Sequence, residues 1–351
     1  MLANYSQEII NNHLGRTQNI ESKKLEDLYH LLNSKKYKIY NLKINQCMNT
    51  FPKNDFISPI LFKKTKEYQN CVNITWLVKH TCNVNCNLYF YIKSFNDFDH
   101  DYTQNLIQKL IRSISFISSF QNKNHSYKIH FVPLNESKKF KKSIRSLTRH
   151  LINSGCSANR EKDSTICVWR IEEFIKVIFH EFIHSFINHD NEENENTSLL
   201  LKKYKKRYNL YSRKIDFFES YCEIWGRILN CFYIASRYPV NNPYQYFCRL
   251  LSLEIFYSHQ KSLQILELKE TNNILVDDHT NITAYYLITS EIFSNLNNFL
   301  KEFYPPNLIN LKEFYEFLFS LKKIKKKKII IKDNNLRMTC MELKLINYII
   351  I

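Results

Sequence analysis

The sequence predicts an α+β fold, with a small mixed sheet in the first half and a mainly helical second half. Three observations carry this. CNLYFYIKSF (86–95), YKIHFVPL (127–134) and STICVWR (164–170) read as strands, and TQNLIQKLIRSISFISSF (103–120) between the first two has helical apolar spacing. From residue 217 onward, apolar residues recur at helical spacing in one segment after another. The chain of 351 residues is 44% hydrophobic and 15% aromatic, enough to bury a large core.

Taken in order, residues 1 to about 80 read as a mostly helical leader, in which LEDLYHLLNSKKYKIY (25–40) carries an apolar stripe and then turns strand-like. Pro133 closes the second strand, and KKFKKSIRSLTRHLINSG (138–155) follows as a basic helix or helical loop that Gly155 would stop. The third strand leads directly into IEEFIKVIFHEFIHSFINHD (171–190), a helix. After a polar connection, FFESYCEIWGRILNCFYIA (217–235) is a strong helix candidate. Further helices are expected at 244–259, at 281–302 before Pro305-Pro306, and at 307–323. KKIIIKDNNLRMTCMEL (327–343) resembles a hairpin around Asp333-Asn334-Asn335. This divides the chain into an N-terminal accessory region (1–84), a central domain (85–305) and a basic C-terminal extension (306–351).

With only 3 Gly and 7 Pro, turns must rely on Asn, Asp, Ser and Lys. The net charge of +17 would favour a polyanion such as nucleic acid, but drift towards Lys in an AT-biased composition explains it more simply. No zinc-finger pattern, RNA-binding aromatic signature or phosphate-cradling Gly loop accompanies that charge. The start MLANYSQEII lacks the basic and apolar regions of a signal peptide, and no apolar run is long enough to span a bilayer. An intracellular, reducing compartment is the expectation, with the ten cysteines as free thiols. His80-Thr-Cys82-Asn-Val-Asn-Cys86 has no matching second half, so buried thiols beside a surface His are expected there. The run Lys325 to Lys328 reads as a solvated boundary. Asn73-Ile-Thr75 and Asn281-Ile-Thr283 arise by chance in so Asn-rich a chain. No oligomeric state is legible.

His180-Glu181-x-x-His184 has the spacing of a helical metal site. Ile171, Phe174, Ile175, Ile178, Phe182 and Phe186 share one stripe of the helix, and His180 and His184 fall together on the other side. At i and i+4 two imidazoles can reach one ion, and Glu181 lies beside them, placed to take a proton from a water at the metal. A third ligand could come from two places. Asp190 ends an HExxHxxGxxH/D pattern, but Ile187 occupies the position where a helix-breaking Gly belongs, and Met338 and Met341 lie far downstream for a Met-turn. His189 is a further local candidate, although it falls on the apolar stripe. Alternatively, Glu219 and Glu223 lie one turn apart on a later helix, sharing a face with Asp216, Gly226 and Asn230 opposite an aromatic face. Burying two carboxylates there is costly unless they meet cations or a metal, whereas an exposed pair near Arg227 would need neither. Gly226 would let another helix approach closely.

HEFIH followed by ESYCE resembles the gluzincin arrangement, HExxH…ExxxD/E, of the thermolysin-like zinc peptidases. The wider stretch from NSGCS to ESYCEIWGRILN is similar to metallopeptidase-like proteins of large cytoplasmic DNA viruses. The resemblance implies a zincin-like fold, one zinc ion held by His180, His184 and Glu219, Glu181 as general base, and Glu223 as partner of His180. It also implies a peptide or protein substrate added as a strand beside the active helix, for which ICVWR is the candidate, and an oxyanion donor downstream. Tyr286, within Thr283 to Tyr286, is the choice, with His279 and His259 as others. Two features depart from the family: Glu223 replaces the usual Asp, and the interval between His184 and Glu219 is long. A zinc-stabilised structural or virion-associated protein without activity, or a basic nucleic-acid-associated protein, would use the same residues differently.

Overall fold

The computed structural model describes residues 2–140, 145–186, 195–210, 214–272, 275–276, 280–304, 310–325 and 328–344. Two helices, α1 (Asn4–His13) and α2 (Lys23–Ser34), open the chain, and the Ser22 hydroxyl caps α2 by accepting from the Leu25 amide. Strand β1 (Lys38–Met48), helix α3 (Pro59–Thr65), and strands β2 (Asn70–Lys79) and β3 (Asn83–Ile92) follow. The expectation of a mostly helical leader is therefore corrected, because two of the longest strands lie before residue 80. The expected boundary at residue 84 falls inside β3.

Next come α4 (Asp101–Ser118), β4 (His125–Phe131), the short β5 (Ser146–Leu147), α5 (Arg149–Ile152), β6 (Gly155–Asn159) and β7 (Asp163–Val168). The helical half holds α6 (Phe174–Phe186), α7 (Glu195–Tyr208), α8 (Phe218–Ala235) and α9 (Pro243–Asn272). A two-residue strand β8 (Leu275–Val276), a π-helical turn (Thr283–Ile288), α10 (Thr289–Phe293), α11 (Leu296–Glu302) and α12 (Leu311–Ser320) complete it.

Six strands form one mixed sheet in the order β1-β2-β3-β4-β7-β6, and β5 pairs separately with β8. The pairs β1–β2, β2–β3 and β7–β6 are antiparallel; β3–β4 and β4–β7 are parallel. Period-two alternation splits the sheet's side chains cleanly. Val72, Ile74, Leu88, Phe90, Ile129, Phe131, Ile166 and Val168 join the main core with α4 and α6. Cys71, Tyr91, Val132, Cys167 and Trp169 face the other way, where Phe51, Ile57 and Leu61 cover them. On the outer edge, Asn41 takes a positive φ of 54° where the β1–β2 register shifts, the bulge that blunts an exposed edge strand.

The C-terminal portion is not an extension. Ile331, Cys340, Met341 and Leu343 belong to the same core as Leu2, Ile9 and the sheet. In place of the expected hairpin, Ile330 and Ile331 donate their amides to the Gln260 side chain, and the Leu336 amide donates to the Lys138 carbonyl at 2.7 Å. The Phe140 amide donates to the Asn334 carbonyl. Residues 138–140, expected to begin a basic helix, are thus extended, and among the described residues of that segment Arg149–Ile152 is the helical part. Among the described residues no helix is long and apolar enough to cross a membrane.

Candidate metal centre

Helices α6 and α8 pack against each other, and Gly226 of α8 meets α6 at the motif. A Cβ on Gly226 would stand 3.3 Å from His180 Cβ, 3.3 Å from its amide nitrogen and 3.4 Å from its Cα. The missing side chain on α8 thus lets the two backbones meet beside His180. The carboxylates on that face of α8 are brought against the imidazoles of α6. Glu219 Oε2 lies 3.0 Å from His180 Nε2 and 3.3 Å from His184 Nε2, and the two Nε2 atoms are 3.3 Å apart.

This triangle fits a metal ion better than it fits hydrogen bonding. Donors at 2.0–2.1 Å around a tetrahedral ion stand about 3.3 Å apart, close to the three separations found. The Glu219 oxygen can accept from both imidazoles, but the 3.3 Å contact between the two Nε2 atoms is then left without a proton, and a shared ion would account for it. Among the described residues, His180, His184 and Glu219 are the group of His, Cys, Asp or Glu residues so disposed. His80, Cys82 and Cys86 are not: Cys82 Sγ lies 3.3 Å from His80 Nε2 and 3.4 Å from the Gln121 carbonyl, and Cys86 contacts Ser118. Asp190, His189 and Ile187, on which the alternative local ligand depends, lie outside the described residues, as does His279.

The surroundings hold the triangle in place. Glu219 Oε1 accepts from Asn281 Nδ2 at 3.0 Å. Glu223 Oε2 stands 3.1 Å from His180 Nδ1, within ion-pair reach although off the angle of a hydrogen bond. Lys176 Nζ approaches the same oxygen at 3.0 Å. Asn230, the next polar residue on this face of α8, donates to the Met341 carbonyl.

The electrostatics follow from burial among charges. Burial disfavours the ionised carboxyl of Glu219, but the two imidazoles outweigh it and hold its pKa well below the usual range. Burial also opposes charge on His180, yet Glu219 and Glu223 raise it to about 9. Glu223 is pulled below the ordinary value by Lys176 and then His180, against its burial. Glu181 behaves oppositely: burial pushes its pKa up, and the imidazoles offset this only in part. A carboxyl so raised is suited to accept and return a proton.

Glu181 points to the edge of the sheet. Its Oε1 would lie 3.0 Å from a Cβ on Gly155, and Ser157 hydrogen-bonds its carboxylate. The strand beside the active helix with a free edge is therefore β6. The expected ICVWR strand is β7, which already has β4 on one side and β6 on the other. A cavity of about 30 Å³, room for one or two waters, opens here between Ser154, Gly155, Glu181, Glu223, Tyr285 and Met338.

Tyr286 does not reach it. Its hydroxyl donates to the Leu336 carbonyl, and its ring packs with Ile282 and Leu336. Tyr285 is the aromatic residue on the cavity, with its ring centroid 5.7 Å from that of His180. The π-helical turn at Thr283–Ile288 changes the phase of the two tyrosines, and such turns often accompany functional sites. Burial first, and then the nearby carboxylates, keep the Tyr285 phenol protonated.

Sequence reasoning missed Asn281, Lys176, Gly155 and Ser157 as parts of the site, and within Thr283 to Tyr286 it chose Tyr286 over Tyr285. The rarity of glycine was a usable signal for Gly155, as it was for Gly226. Asn281 was set aside as part of a chance glycosylation sequon. No family model, curated protein or solved structure matches the chain.

Proposed function

We propose that the protein is a zinc-dependent peptidase of gluzincin type, with a zincin-like core and Glu181 as general base. The observation that carries this reading is the His180–His184–Glu219 triangle at 3.0–3.3 Å, with a buried carboxylate between it and a free strand edge. His₂Glu is a donor set typical of catalytic zinc, which keeps one position open. Bound zinc supplies Lewis acidity, lowering the pKa of a coordinated water and polarising a carbonyl.

This chain's residues supply the rest. The edge of β6 offers backbone groups to an extended peptide, which aligns a peptide bond alongside Glu181. Glu181 takes the proton of the attacking water and delivers it to the leaving amine. Tyr285, kept protonated, is placed to donate to the developing oxyanion from the far side of the cavity.

Glu181→Gln tests this directly. It should lower hydrolysis of an unfolded protein substrate by about 10²–10⁴-fold while one zinc per chain is retained. A variant that cleaves as fast as the parent overturns the mechanism. Zinc kept in Glu219→Ala and lost in Asp190→Ala overturns the ligand assignment.

One observation favours a second reading, a zinc-stabilised protein without peptidase activity. The cavity at Glu181 holds about 30 Å³, less than a side chain of a bound peptide needs. Stoichiometric zinc, loss of stability on chelation and no cleavage in the parent would select it.

A further inference from the structure

We infer that Lys176 is a positioning residue of the metal centre: its ammonium clamps the Glu223 carboxylate against His180. The inference rests on the metal-centre reading above and adds a residue that the HExxH pattern does not contain.

Three observations carry it. Lys176 lies one helical turn before His180 on α6, so one rigid element presents a cation and an imidazole to the same acceptor on α8. Both meet Glu223 Oε2, the lysine at 3.0 Å and His180 Nδ1 at 3.1 Å. The lysine and glutamate side chains are only 2% and 0% exposed, so solvent cannot share that contact. Nζ also lies 3.3 Å from Met338 Sδ, a weak acceptor. The buried charges of Glu173 and Lys138 act on it from beyond ion-pair distance, so Glu223 is the carboxylate it touches.

The clamp answers the departure noted in the motif. Glutamate in place of aspartate adds a methylene and a rotatable bond between α8 and the carboxylate. That freedom would let the oxygen wander from Nδ1, whose partner sets the tautomer and orientation of a ligand imidazole. A cation fixed to α6 removes it, because the carboxylate is then pinned to the helix that carries the ligand. Stability alone does not account for a lysine in this position. A buried ion pair contributes little net stability relative to apolar residues of the same volume. Gly226, one turn after Glu223 on α8, holds the two helices at the spacing the clamp requires.

The test uses the full chain and zinc itself, with affinity read by competition against a chelator. The ligand field of the Co²⁺-substituted protein is the second readout. Neither measurement depends on activity. Lys176→Met should weaken zinc binding by about 10- to 100-fold, as Glu223→Gln should, the range seen when the partner of a metal-bound histidine is lost. Lys176→Arg should restore affinity to within a few-fold and keep the parent's Co²⁺ spectrum. The double variant Lys176→Met/Glu223→Gln should be no worse than the poorer single variant, since both act through one contact.

If Lys176→Met does not fold, Lys176→Gln carries the same expectation, keeping a hydrogen-bond donor without the charge. Parent-like affinity in the Met or Gln variant, or losses that simply add in the double variant, overturn the role of Lys176 and leave the metal centre standing. A parent protein that takes up no zinc overturns both.

Discussion

Replacing Gly226 by alanine sets two effects of known size against each other. Alanine is favoured over glycine in a helix interior by about 1 kcal/mol, so propensity alone predicts stabilisation. The added Cβ would stand 3.3, 3.3 and 3.4 Å from His180 Cβ, N and Cα, inside the roughly 3.5–4.0 Å at which carbon atoms pack. Two of these atoms are backbone and the third is bonded to it, so no rotamer change relieves the contact. The whole of α6 must move a few tenths of an ångström from α8, and overpacking of this kind costs about 1–3 kcal/mol. The steric cost wins, leaving a net loss of about 1 kcal/mol. The same displacement opens the 3.0 Å separation of His180 and Glu219, so zinc affinity should fall about tenfold as well. Urea unfolding of the zinc-free protein and chelator competition measure the two effects separately. Gly15→Ala is the control, since nothing lies within 4 Å of a Cβ there. A Gly226→Ala variant that is more stable than the parent and binds zinc equally well would show that the helices do not meet at this point.

Gly155→Ala should be worse, destabilising by about 1–3 kcal/mol, because its Cβ would fall 2.6 Å from Val177 Cγ1 and 3.0 Å from Glu181 Oε1; denaturant midpoints check this. Tyr285→Phe should slow peptide hydrolysis by at least about tenfold with zinc retained. Tyr286→Phe should instead cost about 1 kcal/mol of stability through its lost bond to Leu336 and leave turnover unchanged. His130 packs on Tyr89 and hydrogen-bonds Tyr91 at 2.7 Å, and burial lowers its pKa to about 4. Its folded value is below the unfolded one near 6.5, so its contribution is complete above pH 6.5 and is lost as pH falls towards 4. At most about 3 kcal/mol is at stake. Urea midpoints at pH 7, 5.5 and 4.5 should therefore fall less steeply in His130→Gln than in the parent. Glu173→Ala strands the buried Lys138, 2.8 Å from Glu173 in the parent, and should cost about 3–5 kcal/mol in thermal or urea unfolding.

Strands β3, β4 and β7 and helices α4, α6 and α8 were legible because each buries one face and so repeats its apolar residues at its own period. Strand β1 showed only as a strand-like end to residues 25–40, since nearly all its residues are exposed and no face needs to be apolar. Strand β6 is five residues of small and polar side chains, and it is placed by its neighbour β7 and by the contact of Gly155 with α6. The two misread segments share one cause. Residues 138–140 and 334–336 pair with each other across nearly two hundred positions, and no local pattern announces such a partner. At the site, the grouping of His180, His184 and Glu219 was readable because HExxH and ExxxE each lie within two turns of one helix. Lys176 looked like any polar residue on an apolar helix. Tyr285 and Tyr286 are adjacent in sequence, and which of them faces the cavity depends on a π-helical turn that no local pattern announces.

The carboxylate of Glu173, at the start of α6, accepts the amides of Met338 and Thr339, 165 and 166 positions later. Glu254 likewise accepts from Thr339 and Cys340. At about 5–20 residues per second of synthesis, α6 waits roughly 10–30 s for the segment that satisfies its first turn. Helices α6 and α8, which carry His180, His184 and Glu219, have left the ribosome well before then. The proposed ligand triad can therefore assemble on a nascent chain whose core is still open behind it. A chain halted at residue 330 is expected to bind zinc yet to be cleaved rapidly in pulse proteolysis, and full protease resistance there would show that the late segment is dispensable.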